Sequence, residues 1–105
     1  QEQRAQRTAE LKTRIRAQVV AWSKNKPMYL MLKDCNNIVP FITVDAATAE
    51  LAGSSSSADV KKAYMKVVRQ IHPDKLTGME LEQQILAEEV FTVLAESFEK
   101  FRGST

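Results

Sequence analysis

Apolar positions recur at helical spacing along nearly the whole of this chain. In the first segment Leu11, Ile15, Val19 and Trp22 follow at steps of four, four and three, which places them in one stripe on a helix. Arg4, Arg7, Lys12, Arg14 and Arg16 fall largely outside that stripe. The first eight or so residues are polar and are expected to fray or to continue a helix from upstream. Lys24 to Lys26 read as a turn, and Pro27 suits the first turn of a second helix, where its missing N–H costs nothing. Met28, Met31, Leu32 and Cys35 give that helix a short apolar face, with Asn36 and Asn37 expected to end it.

From Ile38 to Gly53 the period is lost. The stretch IVPFITV is β-branched and interrupted by Pro40, a pattern compatible with extended chain. DAATAELAG reads as a short helix with Asp45 as its cap and Gly53 as its stop. GSSSS, residues 53–57, is a flexible connector too short to link separate domains. The next helix is well marked. Ser56 and Asp59 have the capping-box spacing, and Val60, Ala63, Tyr64, Val67, Val68 and Ile71 gather in one arc. Lys62, Lys66 and Arg69 lie opposite, with Lys61 and Met65 at the margin. Pro73 disfavours helical geometry at His72, so the helix should stop there. DKLTG carries the chain through a loop into a last helix from about Glu80 to Phe101. Its stripe is Ala87, Val90, Phe91, Leu94, Phe98 and Phe101, whose spacing suits a near-antiparallel partner, residues 57–71. The reading is an all-α chain built around a helical hairpin with HPDKLTG at its tip.

Composition narrows the chemistry. The 105 residues fit one domain with a small core, and 44% hydrophobic with 27% charged is an ordinary globular balance. A net charge of +2 does not by itself point to nucleic acid. Cys35 is the single cysteine and His72 the single histidine, which removes an intramolecular disulfide and makes a zinc site improbable. An inert buried thiol in a reducing compartment is expected. No apolar run reaches membrane-span length, and no signal-peptide pattern is present. The sequence starts at Gln1 without a methionine and is expected to be a piece of a longer protein.

Taken singly, these features have plain explanations. A basic helix face is usually only solvated, the aromatic stripe of the last helix is core, and His72 can be an incidental loop residue. Trp22 reads as a packing anchor that could also face a partner, and Tyr64 as a core residue whose hydroxyl reaches solvent. The combination is more specific. His-Pro-Asp arises by chance in a chain this long about one time in a hundred at ordinary residue frequencies. Here it stands between a basic amphipathic helix and a second long helix.

KKAYMKVVRQIHPDK, residues 61–75, resembles the second helix and loop of J-domains, the DnaJ-type co-chaperones. That resemblance implies a partner, the 70-kDa heat-shock chaperone, whose ATP hydrolysis J-domains stimulate. It implies that Tyr64, Lys62, Lys66 and Arg69 face the chaperone and that His72, Pro73 and Asp74 are the trigger. Lys75 extends the motif as in the family, and Met65 stands where a basic residue is common. HPDKLTG, the absence of a YxxLGV-like opening and of a fourth helix, and the N-terminal stretch VVAWSKNKPMYLMLKDC resemble the auxilin and cyclin-G-associated-kinase group. The likeness covers roughly residues 10–102. It is strong over 57–101 and weak over 36–56, where that group usually carries a tryptophan-containing stretch. On this reading residues 1–52 are a helical extension packed on a J-domain core at 53–105, in one compact unit.

The physics suits a contact point better than a catalyst. Pro73 stiffens the loop, Asp74 offers a fixed carboxylate for a charge-assisted bond to an arginine, and His72 can donate or accept. The basic residues would steer the domain towards an acidic surface. A general acid–base role for His72 would need a pocket and a second positioned group, and no nucleophile motif or Gly-rich phosphate loop is present. The expectation is therefore a monomeric, cytoplasmic, non-enzymatic co-chaperone with no cofactor or metal. The resemblance implies a clathrin coat as client, engaged mainly through regions outside these residues. Another client is an alternative. A basic nucleic-acid module using Arg4 to Arg16 and Lys61 to Arg69 is a reading of a different class.

Overall fold

The computed structural model describes residues 2–104, with side chains over 6–102. Among these residues it holds five α-helices, one 3₁₀ turn and no strand. Helix α1, Glu2–Ser23, is helical from Glu2 onwards. Ile15 and Val19 of its stripe are buried, and Leu11 and Trp22 pack partly buried against them. The side chain of Arg4 lies outside the described residues. In the turn that follows, Lys26 N–H donates to Ser23 C=O at 3.1 Å. Asn25 there takes φ +61°, a left-handed conformation that asparagine tolerates well.

Helix α2, Met28–Ile38, starts one residue later than expected. Pro27 is its N-cap, and its carbonyl accepts from Leu30 and Met31 at 3.1 Å each. It also runs past Asn36 and Asn37. The Asn37 amide donates to the Asp34 carboxylate at 2.8 Å instead of breaking the helix, and Ile38 packs on the core. Met28, Met31, Leu32 and Cys35 form the buried face as expected. Burial alone pushes the Cys35 thiol up to about 12.

IVPFITV forms a turn, not an extended strand: Ile42 N–H donates to Val39 C=O at 3.2 Å. Val39 and Ile42 both enter the core, a spacing of three that a period-two strand cannot satisfy. Asp45 caps helix α3, Ala46–Ala52, with Thr48 N–H donating to its carboxylate at 2.8 Å. Gly53 ends that helix. Helix α4, Ser57–Ile71, begins differently from the capping box its spacing implies. Ser56 makes no side-chain cap bond. The Ser54 hydroxyl donates to Asp59 at 2.9 Å and accepts from Ser56 N–H at 3.0 Å, so a serine two residues upstream does the bridging. Helix α5 spans Leu81–Ser104, with Glu80 C=O accepting from Gln84 N–H.

Helices α4 and α5 are neighbours running in opposite directions. Tyr64 stacks on Phe98, and His72 meets Phe91 further back along α5. The most extensive contact of α5, however, is with α1, and that of α4 is with α3. The ion pairs Arg14–Glu82 and Arg16–Glu89 keep the same order on α1 and α5, so those two helices run parallel. Ile15, Val19, Leu32, Cys35, Val39, Val67, Ile71, Val90 and Leu94 are fully enclosed in one apolar cluster fed by α1, α2, α4 and α5. Each of the aliphatic side chains among them contributes about 1.5–3 kcal/mol by leaving water.

Candidate docking site at the helical tip

Helix α4 has two sharply different sides. Val60, Ala63, Val67, Val68 and Ile71 are buried, while Lys61, Lys62, Lys66 and Arg69 are exposed. Met65 is 40% exposed, so the marginal position inferred for it is in practice an apolar side chain in solvent. Tyr64 is half-buried, with its ring 4.2 Å from that of Phe98 and nearly parallel to it. Burial first and the nearby Glu99 charge second raise the Tyr64 phenol above its ordinary value.

The helix stops where Pro73 requires it. His72 takes φ −64°, ψ 142°, and Pro73–Lys75 form a single 3₁₀ turn. His72 acts as the cap of that turn: its Nδ1 accepts from Asp74 N–H at 3.2 Å, and its carbonyl accepts from Lys75 N–H at 2.8 Å. With Nδ1 accepting that bond, Nε2 is the nitrogen of a neutral imidazole left to donate. The His72 side chain is 52% exposed and that of Asp74 91% exposed, 3.6 Å apart at their nearest nitrogen and oxygen. Leu76, in contrast, is buried and accepts Met79 N–H at its carbonyl, which anchors the tip to the core. The loop then reverses at Gly78, whose φ of +87° suits glycine. The result is a stiff turn held from below with its polar atoms outward.

Beside the tip lies an open groove of about 920 Å³. Phe41, Met65, Val68, Met79 and Phe91 give it apolar walls, and Arg69, Gln70, His72, Asp74 and Lys75 give it polar ones, with Tyr64 completing the lining. Tyr64, Met65, Arg69, His72, Asp74 and Lys75, all singled out from the sequence, are thus brought around one depression. Lys62, Lys66 and Pro73 are exposed but do not line it. Phe41, Gln70, Met79 and Phe91 were not singled out as site residues from the sequence. Phe91 carried a signal only for core, and Phe41 sits in the stretch without a period. Gln70 holds a segment 27 residues away: Thr43 N–H donates to its Oε1 and its Nε2 donates to Thr43 C=O, both at 2.8 Å.

Elsewhere the arrangement is plainer. Arg14 and Arg16, named for a nucleic-acid face, are bonded to Glu82 and Glu89. Pairing with Glu89 raises the Arg16 guanidinium further above its usual range. Among the described residues no group of three or more His, Cys, Asp and Glu could hold a metal ion, and no helix is long and apolar enough to cross a membrane.

No protein-family model matches the chain, and no solved structure matches it. Curated relatives do. Auxilin-like protein 1 of Arabidopsis thaliana is 46% identical over 48 residues, 44% of this chain and 3% of the relative. Auxilin-related protein 1 of the same plant is 46% identical over 50 residues, 46% of this chain and 6% of the relative. UBA domain-containing protein 7 of Schizosaccharomyces pombe is 46% identical over 44 residues, 41% of this chain and 6% of the relative. Over somewhat less than half of its length the chain is therefore similar to auxilin-like proteins, and it spans only 3–6% of the length of these relatives.

Proposed function

We propose that this chain is a J-domain of the auxilin type, a co-chaperone module that recruits the 70-kDa heat-shock chaperone and stimulates its ATP hydrolysis. The observation that carries the reading is the stiff His72-Pro73-Asp74 turn, exposed at the end of a basic helix and beside an open groove. The similarity to auxilin-like proteins agrees with it. In this role Asp74 presents a carboxylate to a cationic side chain of the chaperone, and His72 presents Nε2–H. Lys62, Lys66 and Arg69 speed encounter with an acidic surface. The ATPase site belongs to the partner, whose population the docked domain shifts towards a hydrolysis-competent state, so the chain itself needs no chemistry. The client suggested by the resemblance is a clathrin coat in the cytoplasm, dismantled by the recruited chaperone.

Single-turnover ATP hydrolysis by the chaperone, with and without this chain, tests the proposal. The chain should accelerate hydrolysis, and His72→Gln should abolish the acceleration while helical circular dichroism stays unchanged. A variant that stimulates as well as the original removes the trigger role, and an inactive original chain removes the function.

A further inference from the structure

The likeness to J-domains rests on the basic helix and the tip, yet one wall of the groove comes from neither. Phe41 lines it, from the turn that joins α2 to α3. That turn is fastened to α4 by the two Gln70–Thr43 bonds, which reproduce the donor–acceptor pairing of neighbouring backbone strands with a side-chain amide. Gln70 Nε2 also reaches Lys66 C=O at 3.3 Å, which fixes the amide on the helix. Ile42, next to Phe41, is buried and sets the depth of the turn. Phe41 itself is only partly buried: it packs against the edge of the core, while two neighbours in the turn, Val39 and Ile42, are enclosed in it. The groove it faces combines apolar surface with the exposed cations Arg69 and Lys75 and the carboxylate Asp74, a cationic excess that favours an occupant carrying apolar side chains and more carboxylates than cations.

We infer that Phe41 is a contact residue for the chaperone and that Gln70 is the residue that positions it. The N-terminal extension then belongs to the docking surface, where it adds an aromatic anchor across the groove from Tyr64, Met65 and Val68 of the basic helix. This rests on the chaperone reading above. The occupant is an acidic, apolar-faced segment of that same chaperone, argued from charge complementarity with the rim.

The test measures the Kd for the ATP-bound chaperone and the stimulated rate at saturation. Phe41→Ala is expected to weaken binding roughly tenfold, as loss of a buried aromatic anchor does, with the saturated rate unchanged. Phe41→Leu restores most of the affinity, and Gln70→Leu weakens binding in the same direction. Phe41→benzoyl-phenylalanine, on illumination, crosslinks to the chaperone, whereas Leu30→benzoyl-phenylalanine, exposed but outside the groove, does not. If the original chain stimulates and His72→Gln does not, but Phe41→Ala binds normally, the inference falls and the chaperone reading stands. A weakened Phe41→Ala without a crosslink at position 41 also overturns it, since the turn then acts only through the fold. An original chain that fails to bind overturns both.

Discussion

At the scale of single residues, Asp45 and Cys35 give opposite lessons in what surroundings do to an ionisable group. Hydrogen bonds from Thr48, side chain first and then backbone, hold the Asp45 carboxyl below its ordinary value of 3.8. A carboxyl that titrates lower when folded stabilises fully above its unfolded value, and that contribution is lost as pH falls through the folded value. The gap in thermal midpoint between the original chain and Asp45→Ala should therefore be present at neutral pH and close on acidification below about pH 3.8. Cys35 moves the other way, because burial disfavours its thiolate. At pH 8 it should resist alkylation in the folded chain and react promptly in denaturant, as a mass shift would record. Asp45 was readable in the sequence because an N-cap is a local device. Gln70 was not, because its importance depends on a backbone 27 residues away.

Among the elements, α5 shows best where a hydrophobic pattern stops informing. The stripe chosen for it contained Val90, Leu94 and Phe98, all buried. It omitted Ile85, which is also buried, and Leu86 and Val93, which pack against the core. An arc that wide serves three neighbours, α1, α2 and α4. A pattern reports the width of the apolar arc without saying which helix covers which part of it. Leu94, with no exposure, belongs to the shared interior. Leu94→Ala should lower unfolding free energy by about 2–5 kcal/mol in urea titrations. The end of α4 was legible for a different reason: Pro73 acts on its own predecessor, whatever lies around it. The turn at 39–42 depends on Val39 and Ile42 finding the core, and β-branched composition pointed to extended chain instead.

For the whole molecule, the distribution of charge matters more than its sum. The net charge is +2, and the cations of α1 are partly spent on α5 through Arg14–Glu82 and Arg16–Glu89. Lys62, Lys66 and Arg69 stand exposed on α4 beside the tip. On the proposed function, Lys66→Glu should slow association with the chaperone while leaving dissociation nearly unchanged, in stopped-flow measurements at low salt. Added salt should shrink the difference, since exposed charges more than about 8 Å apart are largely screened at physiological ionic strength. Nucleic-acid binding that survived the same salt would point instead to the basic faces as its purpose.

Trp22 is the chain's one tryptophan. It sits at the close of α1, with the Lys26 ammonium 5.3 Å from its ring and its indole nitrogen enclosed, and it takes no part in the groove. Nature has thus left an internal fluorophore at a remove from the tip. Its emission will redden when the helices come apart and stay put when a visitor fills the groove, so one cuvette can tell melting from docking without any added dye.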